Sequence, residues 1–155
     1  MSDVLRFADC NQQSVQCLLT KLGMQIQRVA DNTAIPGSFW GDEEAGLIRA
    51  DIYIRNDTPV HSILHEACHY ACMDSSRKQT LHTNAGGSQC EENAVCYLQI
   101  LLSDQVAGFG RSRMFADMDR WGYSFRLGSA EAWFNDDAED AREWLQHRQL
   151  LKLAD

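Results

Sequence analysis

The sequence predicts an α+β domain in which a small, mostly antiparallel sheet packs on one helix of mixed apolar and histidine content, with several further helices around it. Three observations predict this. The 155 residues are 45% hydrophobic, enough apolar material for a single core, so 1–155 is read as one domain. A run near residue 50 alternates apolar and polar positions as a strand does, and most other apolar residues recur at helical spacing.

The elements follow in order. From Asn11 to Leu22, Val15, Leu18, Leu19 and Leu22 share one helical face, and Gly23 marks the end. Met24 to Ala30 reads as extended. Pro36-Gly37 and Trp40-Gly41 mark an irregular loop. Gly46 to Arg55 then sets Ile48, Ala50, Ile52 and Ile54 against Leu47, Arg49, Asp51, Tyr53 and Arg55, which is strand periodicity. Asn56 to Pro59 turns into a helix, with Thr58 expected as N-cap and Pro59 at the first helical position. A polar connection from about Asp74 to Gln89 leads to a helix from Cys90 to Ser103. Ser112 to Trp121 and Ala130 to Leu151 read as further helices, separated by Gly122 and Gly128.

Charge and composition narrow the classes. A net charge of -8 with no basic stripe argues against nucleic acid and anionic lipid as partners. The N-terminus carries Asp3 and Asp9 and lacks the basic start and apolar run of a secretory leader, so a cytoplasmic protein is expected. Six cysteines without a Cys-x-x-Cys pair read as reduced thiols in the core. Trp121, Trp133, Phe134 and Trp144 read as core or interface aromatics, and Asp136 to Asp140 as a solvated helix start.

The chemistry concentrates in His65-Glu66-Ala67-Cys68-His69. At about 100° per residue, Val60, Ile63, Leu64, Ala67 and Ala71 gather on one side of the helix, and His65 and His69 stand opposite, turned from the packing face. Imidazoles at i and i+4 can close on one tetrahedral ion, and Glu66 beside them can take a proton from water. Zn2+ is the first expectation and Fe2+ the alternative, since two histidines and a carboxylate also form the facial triad of non-haem iron oxygenases. His61 lies one turn before His65, but Ser62 occupies the position an acid would need. Cys72 is about 10.5 Å along the axis from His65 at 1.5 Å per residue, too far to share the ion.

A third ligand must come from elsewhere. A further histidine six positions after His69 would suit one known pattern, and Ser75 stands there instead. Glu91 and Glu92 open the next helix. Glu91 heads the stripe of Ala94, Val95, Leu98, Leu101 and Leu102, where a buried carboxylate needs a partner, so it is the preferred ligand. Glu92 lines up with the more polar Cys96, Gln99 and Ser103 and is the alternative, as is His82. Ser88-Gln89-Cys90-Glu91 also fits a capping box, which would occupy Glu91 differently.

With these residues stated, the chain resembles the gluzincins, the thermolysin-like branch of zincin metallopeptidases, in which a His-Glu-x-x-His helix is followed by a glutamate ligand on a later helix. The run from Glu91 to Leu102 is similar to the Glu-x-x-Ala helix of several small bacterial zincins, except that Val95 stands where they often place an acid or amide. The resemblance spans roughly Gly46 to Leu102. It implies a minimal zincin-like fold, a zinc-dependent hydrolase acting on a peptide or protein amide bond with Glu66 as base, and Gly46 to Arg55 lying beside an extended substrate. It also implies a transition-state stabiliser from a distant segment, for which Tyr123 and His82 are the candidates. The motif is similar, too, to that of the elongation factor P hydroxylase family, where Trp and Cys stand at the positions of Tyr70 and Ala71. The remaining expectations are a non-catalytic metal-stabilised interaction module, and a homo-oligomer or partner protein completing a small cleft.

Overall fold

The computed structural model describes residues 4–39 and 41–155; Asp3 and Trp40, used above, lie outside them. The described elements are α1 (Gln12–Lys21), β1 (Gln25–Arg28), β2 (Gly46–Ile48), β3 (Asp51–Ile54), α2 (Val60–Cys72), α3 (Ser75–Thr80), α4 (Gln89–Leu102), α5 (Gly110–Trp121), α6 (Ala130–Asp136) and α7 (Glu139–His147), with three short 3-10 turns. The α+β class stands, and α1, β1, α4 and α5 fall where the periodicity put them.

α1 begins because the Asn11 side chain accepts the Ser14 N–H at 2.9 Å, and it ends where Gly23 takes φ +81°, a conformation that costs a Cβ-bearing residue more. α5 stops in the same way at Gly122, φ +105°.

The sheet corrects two expectations. Gly46 to Arg55 is not one strand but a hairpin, broken at Arg49, whose φ of +51° no extended strand accommodates. Alternation therefore persists across a turn, and Leu47 and Ile52 face each other across β2 and β3. The sheet order is β1-β3-β2. β1 joins β3 in parallel from Gln25↔Asp51 to Arg28↔Ile54, while β2 joins it antiparallel, so the sheet is mixed rather than mostly antiparallel.

The entry to α2 differs as well. Pro59 is the N-cap, with no side-chain cap bond. Thr58 is buried and its hydroxyl accepts the Arg55 N–H at 2.9 Å, closing the turn out of β3. The first free N–H of the helix, Val60, donates instead to Leu5 O at 2.9 Å, so a backbone segment from the N-terminal end does what a capping side chain usually does.

Two helical readings are revised. The connection after α2 contains a short helix, α3, capped by Asp74, which accepts the Arg77 N–H at 2.9 Å. The long helix read from Ala130 to Leu151 is α6 and α7, parted at Asp137, whose φ is -140° and whose carboxylate is held by Arg126.

The core runs from Phe7 to Leu145. α4 lies at its centre, packed on α2 and α7, and Leu98, Ile100 and Leu102 are fully buried, each worth on the order of 2 kcal/mol of transfer free energy. α2 is covered on nearly every side: only His65 and Tyr70 keep partial exposure. The histidines thus turn from the apolar stripe, as expected, yet face α4 rather than solvent. No helix among the described residues is long and apolar enough to cross a membrane.

Candidate metal centre

α2 stacks His65 and His69 one turn apart, their ring centroids 4.8 Å from each other at 87°. The first turn of α4 brings Glu92 to them. Glu92 Oε1 lies 3.4 Å from His69 Nε2 and 3.8 Å from His65 Nε2, and the three residues offer ligand atoms within 4.8 Å of one another. Among the described residues this is the one group of histidine, cysteine and acidic side chains that could hold a metal ion. A tetrahedral ion with ligands about 2.1 Å away keeps its donors roughly 3.4 Å apart, which these separations approach.

The tautomer of His65 fits the same use. Gln99 is fully buried, and its amide nitrogen donates to the His61 carbonyl at 3.0 Å. A carbonyl only accepts, so the other end of the amide, 2.9 Å from His65 Nδ1, is the oxygen. His65 therefore carries its proton on Nδ1 and presents the Nε2 lone pair to the group, the arrangement ligating histidines usually have. His69 has no such partner: its Nδ1 is buried without a hydrogen bond among the described residues.

Glu91, the preferred ligand from sequence, is not in the group. It heads a buried stripe, as read, but its partner is a cation: Arg77 Nη1 and Nη2 hold its two oxygens at 2.7 and 2.9 Å. A Cβ on Gly87 would come within 2.5 Å of that carboxylate, so the α3–α4 connection closes over the pair. Ser88 caps α4 by accepting the Glu91 N–H at 3.2 Å. Glu92, one position later and about 100° further round the helix, faces the histidines.

His82 is likewise not brought in. It is exposed, bridges Ile48 and lies 2.9 Å from the Thr83 hydroxyl. Tyr123 is brought in: its hydroxyl sits 3.1 Å from His61 Nδ1 and 3.4 Å from Gln99 Nε2. His61 is engaged there and does not pair with His65.

Glu66 is 7% exposed and lines two cavities. The larger, about 500 Å³, has walls from Glu44, Ser62, Cys96, Trp121 and Tyr123. The smaller, about 250 Å³, has walls from Phe39, Thr83, Asn84 and Ala85. Both share His65, Glu66 and Glu92.

Burial sets the electrostatics. It pushes the Glu66 carboxyl up to about 7, against the pull of His69 and helped by Glu44 and Glu92. It holds His65 down at about 4, with His69 adding to the effect. For His69 burial pulls the same way, but the Glu92 hydrogen bond and the charge of Glu66 outweigh it and raise the ring above its ordinary value. Burial also lifts Glu44, opposed by the Trp121 Nε1–H that donates to it at 2.8 Å.

Sequence reading missed Gln99 as a partner of His65, although it had placed Gln99 on the polar strip of Glu92. It also missed Glu44, for which an aperiodic loop carries no signal, and the wall role of Trp121, the last residue of α5. No protein-family model matches the chain, and neither does any curated protein or any solved structure.

Proposed function

We propose that the chain is a zinc-dependent hydrolase of an amide bond, with His65, His69 and Glu92 holding the ion and Glu66 as general base. The observation that carries this reading is the convergence of those three donors on cavities that Glu66 also lines. A divalent ion held there supplies the Lewis acidity that polarises a carbonyl and acidifies a water.

The chain's own residues do the rest. Glu66, which lines both cavities beside the three donors, takes the proton of the attacking water on a carboxylate oxygen and returns it to the leaving nitrogen. Gln99 keeps the His65 lone pair directed at the ion. The Tyr123 hydroxyl stands on the cavity wall, where a donor can meet the developing oxyanion.

The test is elemental analysis of the protein purified without added metal, beside single alanine variants of His65, His69, Glu91 and Glu92. Zinc near one equivalent, lost in the His65, His69 and Glu92 variants and kept in Glu91→Ala, supports the reading. Glu66→Gln should keep the metal and lose turnover by about 10² to 10⁴ on a panel of peptides and N-acyl amino acids. Retained turnover would take the general-base role from Glu66, and a wild type that holds zinc but turns over nothing would leave a metal-stabilised interaction module instead. The same donor set suits non-haem iron, so iron with oxygen-dependent turnover would replace hydrolysis by oxidation.

A further inference from the structure

We propose, on the basis of the hydrolase reading above, that the substrate is compact, with one residue-sized group on each side of the scissile amide, and is not a peptide laid along the sheet. Strand addition needs a sheet edge beside the site with unpaired backbone groups. Of the two edges, β1 and β2, β2 is the one beside the site: none of its own residues lines a cavity, but the loop leading into it and the segment that bridges its far end supply cavity walls.

The edge is already used. In this three-residue strand the outward-facing backbone groups are those of Leu47. Its N–H donates to Gly37 O at 3.1 Å, and its carbonyl accepts the Thr83 N–H at 2.8 Å. Just beyond, Arg49 N–H donates to Leu81 O at 2.8 Å, while Ser38 and His82 bridge Gly46 and Ile48. The closure is tight. A Cβ on Gly46 would lie 2.0 Å from Pro36 O, and one on Gly37 would lie 2.5 Å from Leu47 O, so two glycines let the chain seal its own edge.

The expectation that Gly46 to Arg55 would pair with an extended substrate therefore meets an occupied ladder. Recognition falls to the two cavities, which meet at His65, Glu66 and Glu92. At about 500 and 250 Å³ they are sized for small-molecule groups. The larger offers Trp121 and Tyr123 as walls. The smaller has Phe39 and Ala85 around it, and Phe39 is 54% exposed at its mouth.

Two measurements test this. The first is amide exchange in the metal-free protein: the N–H groups of Leu47, Arg49 and Thr83 should exchange slowly, and fast exchange at these three would overturn the closed edge. The second is calorimetric titration of the zinc-loaded protein with acetohydroxamate, an N-acetyl single-residue hydroxamate, and the corresponding tri- and tetrapeptide hydroxamates. Affinity should rise at least about tenfold on adding the first residue and change by less than about threefold thereafter. A further gain of about fivefold or more for each later residue, the signature of backbone pairing, would overturn the proposal while leaving the hydrolase reading intact. A chain that binds zinc but no hydroxamate would sink the hydrolase reading and this inference together.

Discussion

The Gln99 side-chain oxygen accepts the Nδ1–H of His65 at 2.9 Å, and the other end of the same amide is fixed by a backbone carbonyl on His65's own helix. α4 thereby orients a side chain of α2 through a group that can point in only one direction. Gln99→Leu should therefore weaken zinc binding by about tenfold to a hundredfold, read by competition with a chromophoric chelator. The His61 carbonyl would keep its intrahelical donor but lose this second one, so stability should fall by about 1 kcal/mol. Unchanged affinity would mean that packing alone orients His65.

The adjacent acids of α4 should separate cleanly. Glu92→Ala should lose the metal with little change in the stability of the metal-free chain, because Glu92 is 38% exposed. Arg77→Ala should keep the metal and cost about 2 kcal/mol in urea denaturation, because it strands a carboxylate only 8% exposed. The cost falls below that of a fully buried pair, since Arg77 is itself 36% exposed.

His61 makes stability depend on pH. Burial holds its ring at about 3, with the charges of His65 and Arg6 adding to the effect, so between 6.5 and 3 the unfolded chain binds a proton that the native ring does not. Stability from this group is complete above pH 6.5 and is lost as pH falls, by up to about 1.4 kcal/mol per unit. Glu66 acts in the opposite direction: its raised value favours the native state as pH falls from 7 towards 4.5. The measurement is therefore differential. Between pH 7 and 5 the metal-free wild type should lose more stability than His61→Phe, by about 1 kcal/mol per unit, and equal slopes would refute the assignment.

The six thiols should react in two classes. Cys17 and Cys90 are exposed and should titrate at once with a disulfide reagent at pH 8. Burial raises Cys10 to about 11, Cys72 to about 12, Cys96 to about 12 and Cys68 further still, and a thiol held protonated is a poor nucleophile. Two fast equivalents, with the other four slow or appearing only in denaturant, is the expected count. Fast reaction of Cys96, on the wall of the larger cavity, would show that the cavity admits reagent and solvent more freely than its burial allows.

Much of the fold was legible because it depends on local rules. The stripe of Val15, Leu18 and Leu19, the glycines at 23 and 122, and the apolar face of α4 each report a helix through spacing alone. What failed was whatever a distant segment decides. Arg49 looks like a strand residue in an alternating run, but Leu81 takes its amide and the chain turns. Thr58 looks like a cap, but Leu5 had already supplied the acceptor that Val60 needs.

The candidate site divides along the same line. By itself the sequence determined that His65, Glu66 and His69 lie within one turn of a single helix, on the side away from its apolar stripe, because helical geometry depends only on residues four apart. It also determined that a buried Glu91 must have a partner, since an unpaired interior charge is too costly. Only the tertiary structure decided that the partner is Arg77, that Glu92 therefore is the carboxylate facing the imidazoles, and that Gln99 orients His65. Those choices depend on which side chains from α3 and α4 reach the same volume, and no periodicity within one segment encodes the position of another.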